Sequence, residues 1–257
     1  MNNKVDLLLE LIKTNFKMRY YNSFLGVLWV LIKPYSTFLV LYIIWSKANL
    51  GAAGTTTDYA IYLLIGIVSY TFINELVTFG QAAMLDKANV ILKVNFSRQI
   101  AVVAALSNAV VNLAINFLFV VIIFGIRGGH WSLSGILVIV LCYVVFFVWG
   151  LGLALFTSII TVRLRDIKNI LDLAMFLLLY VTPIFYEPKA LLGEGLISDI
   201  ISANPIGILI QQIRAGIGVY GTTNFPLILA MLATGIVFLY FGWKFFQKYI
   251  KRIAEFI

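Results

Sequence analysis

The sequence predicts an all-α integral membrane protein. It should hold six transmembrane helices, an N-terminal amphipathic interface helix and two short re-entrant helices between spans five and six. Three observations predict this. The chain is 62% hydrophobic and 12% charged, whereas a soluble domain is roughly half apolar and a quarter charged. Six apolar runs, Leu28–Ser46, Tyr59–Ala83, Ile100–Ile126, Leu133–Ile160, Ile167–Phe185 and Phe225–Ile250, match the roughly 20 helical residues that cross a hydrocarbon core. When the N-terminus and every second connection are placed on one side, all but four of the nineteen Lys and Arg residues fall there. The exceptions are Lys47, Arg127, Lys189 and Arg214. The positive-inside rule then puts both termini in the cytoplasm of a multi-pass protein of the cytoplasmic membrane.

Residues 3–20 read as a helix with Val5, Leu8, Ile12, Phe16 and Tyr20 on one stripe and Glu10, Lys13, Thr14 and Lys17 on the other face. Too polar to span, it should lie along the inner leaflet. The first twenty residues lack the apolar core and cleavage site of a signal peptide. Span one carries Tyr35, Phe38, Tyr42 and Trp45 at three- and four-residue spacing, on one narrow face. Span two carries Glu75, the one ionisable residue clearly inside a span. A carboxylate there costs a few kcal/mol if ionised, about 2.5–3.5 for Asp at a helix centre, and should be paired, hydrated or protonated. In span three Asn108, Asn112 and Asn116 form a polar ridge suited to hydrogen bonds between helices. Span four offers Gly150, Ala154 and Ser158, a small-residue surface for close helix approach. In span five Asp172 should reach the inner interface.

The connections differ in kind. Leu85–Gln99 is short and polar around Val90-Ile91-Leu92, and Arg127–Ser132 is a tight turn containing Gly128-Gly129. The last outer connection, Tyr186–Asn224, holds Ile197–Ile201, Asn204-Pro205 and the apolar run Ile206–Ile217. Runs of this length are too short to cross, so two helices broken at Asn204-Pro205 should dip back toward the outer mouth.

Six spans and their loops leave no room for a second domain. The chain is expected to be one domain over residues 1–257, with the amphipathic segment at 1–27 and the bundle at 28–257. The net charge of +8 is mostly the inner-loop excess and points to anionic lipids. No basic soluble surface remains for nucleic acid. Cys142 is the single cysteine and excludes an intrachain disulfide. The lone His130 lies in a turn without a cysteine or carboxylate cluster, so zinc and His-based hydrolysis find no support and no metal is expected. The phosphate cradle G-x-x-x-x-G-K-[ST] is absent. Any uphill work must draw on a partner or an ion gradient.

The run from Arg19 to Trp29 fits R-Y-x-x-S-x-L-G-x-x-W and is followed by Pro34. Asn89–Arg98 resembles an N-x-L-I-x-K-x-x-F-P-R loop, Arg165-Asp166-Ile167 an R-D-[VIL] turn, and Thr182-Pro183-Ile184 with Asn204-Pro205 an [ST]-P-[IV] and N-P pair. In order and spacing the four resemble the ABC-2-type permeases that export polysaccharides: O-antigen, capsule, cell-wall glycans and teichoic acids. Ser97 stands where that family usually has Pro, Lys33 where Asn often precedes the proline, and Leu164 where an aromatic is common.

The resemblance implies a non-enzymatic transport subunit without its own cofactor. It implies pairing with a second copy of itself and with two cytoplasmic ATPase subunits that hold ATP and Mg. Lys87, Asn89, Lys93, Phe96 and Arg98 would couple to those ATPases, with Phe96 as an apolar plug, and Arg165 and Asp166 would form a second contact. Lys13, Lys17 and Arg19 would attract the pyrophosphate of a lipid-linked glycan. Tyr35, Phe38, Tyr42, Trp45 and Glu75 are the path candidates, because aromatic rings stack on sugar faces. Pro183, Asn204 and Pro205 would form the outer gate. Alternatives are an ABC-2-type drug or lipid exporter, an ion-coupled carrier or an intramembrane lipid enzyme. A carrier would need more buried ionisable residues than Glu75, and an enzyme a reactive cluster.

Overall fold

The computed structural model describes residues 3–20, 26–48, 58–87 and 98–250. Its helices are α1 (Asn3–Tyr20), α2 (Leu28–Ala48), α3 (Tyr59–Ala82), α4 (Gln99–Ile126), α5 (Leu133–Arg163), α6 (Asp166–Val181), α7 (Pro188–Leu192), α8 (Leu196–Ser202), α9 (Pro205–Ile217) and α10 (Phe225–Tyr249). Among the described residues there is no strand. The helix starts follow from side chains that satisfy orphan N–H groups. Asp58 accepts from Ala60 and Ile61 at the head of α3, Ser132 from Gly135 at the head of α5, and Asn224 from Leu227 at the head of α10.

The bundle has two distinct ends. At one, which we call the basic end, Asn15 meets Ala104, Gln81 meets Asp172 and Arg98 meets Ile250. At the far end Arg127 pairs with Asp58 at 2.8 Å and Tyr59 donates to the Phe185 carbonyl at 2.9 Å. Helices α2 to α5 and α10 run between the two. The middle helix is α3, buried along most of its length from Tyr59 to Gln81. Helix α5 approaches it closely, since a Cβ on Gly80 would stand 2.4 Å from that of Ala154 and one on Gly150 would stand 2.6 Å from Leu76. Gly150 and Ala154 therefore serve the close packing that their spacing predicts. On its other side α5 meets α10 backbone to backbone, a Cβ on Gly242 falling 2.6 Å from the Gly152 carbonyl.

Among the described residues five helices are long and apolar enough to cross a membrane: Leu28–Ser46, Tyr59–Ala82, Gln99–Ile126, Leu133–Arg163 and Phe225–Tyr249. The fifth expected span departs from the reading Ile167–Phe185. Helix α6 has 16 residues and stops at Val181. Pro183 lacks an N–H and biases Thr182 away from helical geometry, so Thr182 is extended at ψ 133°. Helix α6 and the chain that follows it together reach from Asp172 beside Gln81 at the basic end to the Phe185 carbonyl beside Tyr59 at the far end. The expected break at Asn204-Pro205 separates α8 from α9 at 68°. A further short helix, α7, begins at Pro188, a favoured first-turn residue.

Helix α1 forms where its periodicity places it but turns its buried edge by about one residue. Leu11 and Asn15 are buried, flanked by Leu8, Ile12 and Phe16. The Asn15 amide donates to the Ala104 carbonyl at 3.1 Å, which draws this polar residue against α4.

Candidate functional site

The aromatic stripe of α2 faces the bundle. Tyr35, Phe38, Tyr42 and Trp45 are half-buried against its core. Phe38 stacks on Tyr42 with centroids 5.5 Å apart, Tyr42 on Tyr59 at 6.2 Å, and Tyr59 on Tyr62 at 6.1 Å. Trp45 lies 5.1 Å from Phe185 and 6.4 Å from Tyr186. Tyr35 meets Phe119 edge-on and donates to the Asn116 carbonyl at 3.4 Å. These offset and edge contacts are the geometries aromatic pairs prefer. Together they form a continuous aromatic stack from mid-bundle to the far end, in which Tyr59, Tyr62, Phe185 and Tyr186 are buried.

That stack ends at a buried cation. Arg214 of α9 is 0% exposed, and its Cζ sits 3.4 Å from the centre of the Tyr62 ring. It donates to the carbonyls of Tyr62 (3.1 Å), Pro183 (3.1 Å) and Ile184 (2.6 Å). Beside it Tyr220 donates to Glu187 at 2.6 Å, and burial pushes the Tyr220 hydroxyl above its usual range.

The three residues expected to form an outer gate come together. Asn204 donates to Thr182 Oγ1 at 3.1 Å and accepts from Ile206 N at 3.0 Å, capping α9. Pro205 occupies the first turn of α9. A Cβ on Gly207 would meet Pro183 at 2.8 Å. The backbone of α9 also touches α5, because a Cβ on Gly135 would lie 1.9 Å from the Gly216 carbonyl.

Nearer the basic end a cavity of about 620 Å³ opens between α2, α3 and α4, lined by Trp29, Lys33, Thr37, Asn74, Glu75 and Asn112 among others. Asn112 Nδ2 donates to both Glu75 oxygens, at 2.9 and 3.0 Å. The carboxylate is thus paired, as its place in a span requires. Asn116 Nδ2 donates to the Val30 carbonyl at 3.3 Å and to the Asn112 carbonyl at 2.9 Å. A second cavity of about 290 Å³ lies under α1, lined by Asn15, Lys87 and Asn108 among others.

At the basic end, Lys87 is buried, and burial holds its ammonium below the usual lysine range, partly offset by Asp86. Arg98 ties the head of α4 to α10 through the Ile250 carbonyl. Arg165 and Asp166 are exposed at the head of α6, where an acidic first-turn residue suits the helix dipole. Lys13 and Lys17 are exposed on α1. Asn89, Lys93 and Phe96 lie outside the described residues, as does the Arg19 side chain. Among the described residues no group of three or more His, Cys, Asp or Glu side chains is placed to hold a metal ion.

Sequence reasoning missed Arg214 and Tyr62. The available signal was a cation inside the apolar run Ile206–Ile217, which intramembrane logic treats as functional by default.

Comparison with known proteins gives a consistent picture. An O-antigen export system permease protein from Myxococcus xanthus is 23% identical, covering 97% of this chain and 94% of that protein. A Klebsiella pneumoniae protein of the same name is 27% identical at the same coverage. A family model described as ABC-2 type transporter matches residues 6–218. With that match over most of its length and its bundle of membrane-spanning helices, the chain belongs to the ABC-2 type transporter family.

Proposed function

We propose that this chain is the transmembrane permease subunit of an ATP-driven exporter that moves a lipid-linked polysaccharide out across the cytoplasmic membrane. The observation that carries the reading is the end-to-end similarity to permeases named for O-antigen export. The half-buried stripe Tyr35, Phe38, Tyr42 and Trp45 supports it, because aromatic rings stack on sugar faces. The glycan class extends to capsule, wall glycan or teichoic acid.

Both termini face the cytoplasm in this reading, with the basic end inward. Two copies of the chain work with two cytoplasmic ATPase subunits, which bind ATP and Mg. Helix α6 buries only Met175, which leaves its length to lipid or to the second copy. The 85–99 segment and the exposed Arg165-Asp166 turn contact the ATPases. Lys13, Lys17 and Arg19 attract the pyrophosphate. The Pro183, Asn204 and Pro205 corner closes the outer mouth until ATP binding drives the halves apart.

The test is co-expression with an ATPase subunit of this transporter class. The purified permease should hydrolyse no ATP alone, and the complex should both hydrolyse ATP and export glycan. Replacing Tyr35, Phe38 and Tyr42 together with Leu should impair export while the complex still assembles. Proton-driven transport in vesicles without ATP would overturn the proposal.

A further inference from the structure

We propose that the cavity between α2, α3 and α4 is a subsite for one neutral pyranose ring of the lipid-linked glycan. The inference rests on the export reading and adds the chemistry of a specific site to it. At about 620 Å³ the cavity falls within the roughly 300–1,000 Å³ of small-ligand sites.

Its position fits a substrate that arrives from the basic end. Glu75 lies seven residues before the end of α3 at Ala82, about 10 Å at the helical rise, and Lys33 lies five residues into α2, about 8 Å. A sugar is thus met while its lipid still lies in the leaflet at that end.

The lining is that of a polyol site. Trp29 is 45% exposed and offers a flat ring for the C–H face of a sugar. The Thr37 hydroxyl donates its proton to the Lys33 carbonyl at 3.2 Å, so toward a sugar hydroxyl it acts as an acceptor. The Glu75 carboxylate, steadied by Asn112, accepts from hydroxyls, while Asn74 and the Lys33 ammonium donate. The lining carries one cation, Lys33, and one anion, Glu75. A pyrophosphate would meet that carboxylate, whereas a neutral ring has no charge to clash with it.

The experiment uses the intact permease–ATPase complex in nanodiscs. Two probes are compared: a polyprenyl pyrophosphate carrying one glucose, and the bare polyprenyl pyrophosphate. The wild-type complex should bind the glucosylated probe about tenfold more tightly. Trp29→Leu and Asn74→Leu should erase that preference without changing affinity for the bare lipid, and Trp29→Tyr should keep it. In a Cys142→Ala background, a Thr37→Cys thiol should be protected from maleimide by the glucosylated probe and not by the bare one. Equal binding of both probes, or variants that weaken both alike, would overturn the subsite and leave the export reading standing. A wild-type complex that binds neither probe and exports no glycan would overturn both.

Discussion

Asn116 on α4 supplies the hydrogen bond that Pro34 removes from α2. Pro34 has no N–H, so the Val30 carbonyl four residues back loses its helical donor. Asn116 Nδ2 reaches that carbonyl at 3.3 Å. Asn116→Leu should therefore destabilise the chain by about 1–2 kcal/mol in detergent unfolding. Adding Pro34→Leu should recover most of that loss by restoring the in-helix donor. Additive single effects in the double-mutant cycle would refute this coupling.

The Glu75–Asn112 tie gives a second prediction. Hydrogen bonds to charged groups contribute about 1.5–3 kcal/mol. Asn112→Leu removes a donor to both oxygens of a carboxylate inside the bundle and should cost about 2–3 kcal/mol. Glu75→Gln keeps one acceptor oxygen and should cost about 1 kcal/mol or less. Thermal unfolding of the two purified variants ranks them, and the reverse order would exclude this pairing as the main role of Asn112.

The helices were legible because apolar length and the position of charge are local properties. The end of α6 was not, since Val181 to Phe185 is as apolar as the run before it and only Pro183 marks the stop. The corner at the far end was legible as motif, because Pro183, Asn204 and Pro205 each act on their own backbone. Arg214 was not. In the sequence it is one of four cations that depart from the charge bias, and its burial depends on Tyr62, 152 residues away in sequence. Asn15 escaped for the same reason, since its partner Ala104 lies on another helix. The basic-end cavity is assembled from three helices, so no single stretch announces it.

At the basic end, exposed residues and hydrogen-bonded ones should respond differently to substitution. Arg165 and Asp166 are exposed, and surface substitutions usually stay within about 0.5 kcal/mol. The Arg165→Ala/Asp166→Ala variant should unfold like the wild type yet co-purify less ATPase subunit. Arg98→Ala should instead lower the unfolding temperature of the permease alone, because it cuts the tie from α4 to the Ile250 carbonyl. Full ATPase recovery with the double variant would remove that turn from the docking surface.

Arg214 is the keystone of the far end, because one side chain joins α9, α3 and the corner after α6. The Pro183 and Ile184 carbonyls lie in non-helical chain, so Arg214→Met leaves two buried acceptors without this donor. At about 1–3 kcal/mol each, the loss should reach about 3 kcal/mol. Arg214→Lys keeps the charge but lacks the planar fork that meets three carbonyls and stacks on Tyr62, so it should rescue only part. Gly66→Ala tests the same joint from the opposite side, since its methyl would stand 2.5 Å from Arg214 Nη2 and 3.0 Å from the Ile184 carbonyl. That overpacking should cost about 1–3 kcal/mol. Because the added methyl acts mainly by displacing the guanidinium, Gly66→Ala should cost little more once Arg214 is Met. Unfolding measurements on both single variants and the double decide the matter, and full additivity would mean that Gly66 and Arg214 act independently.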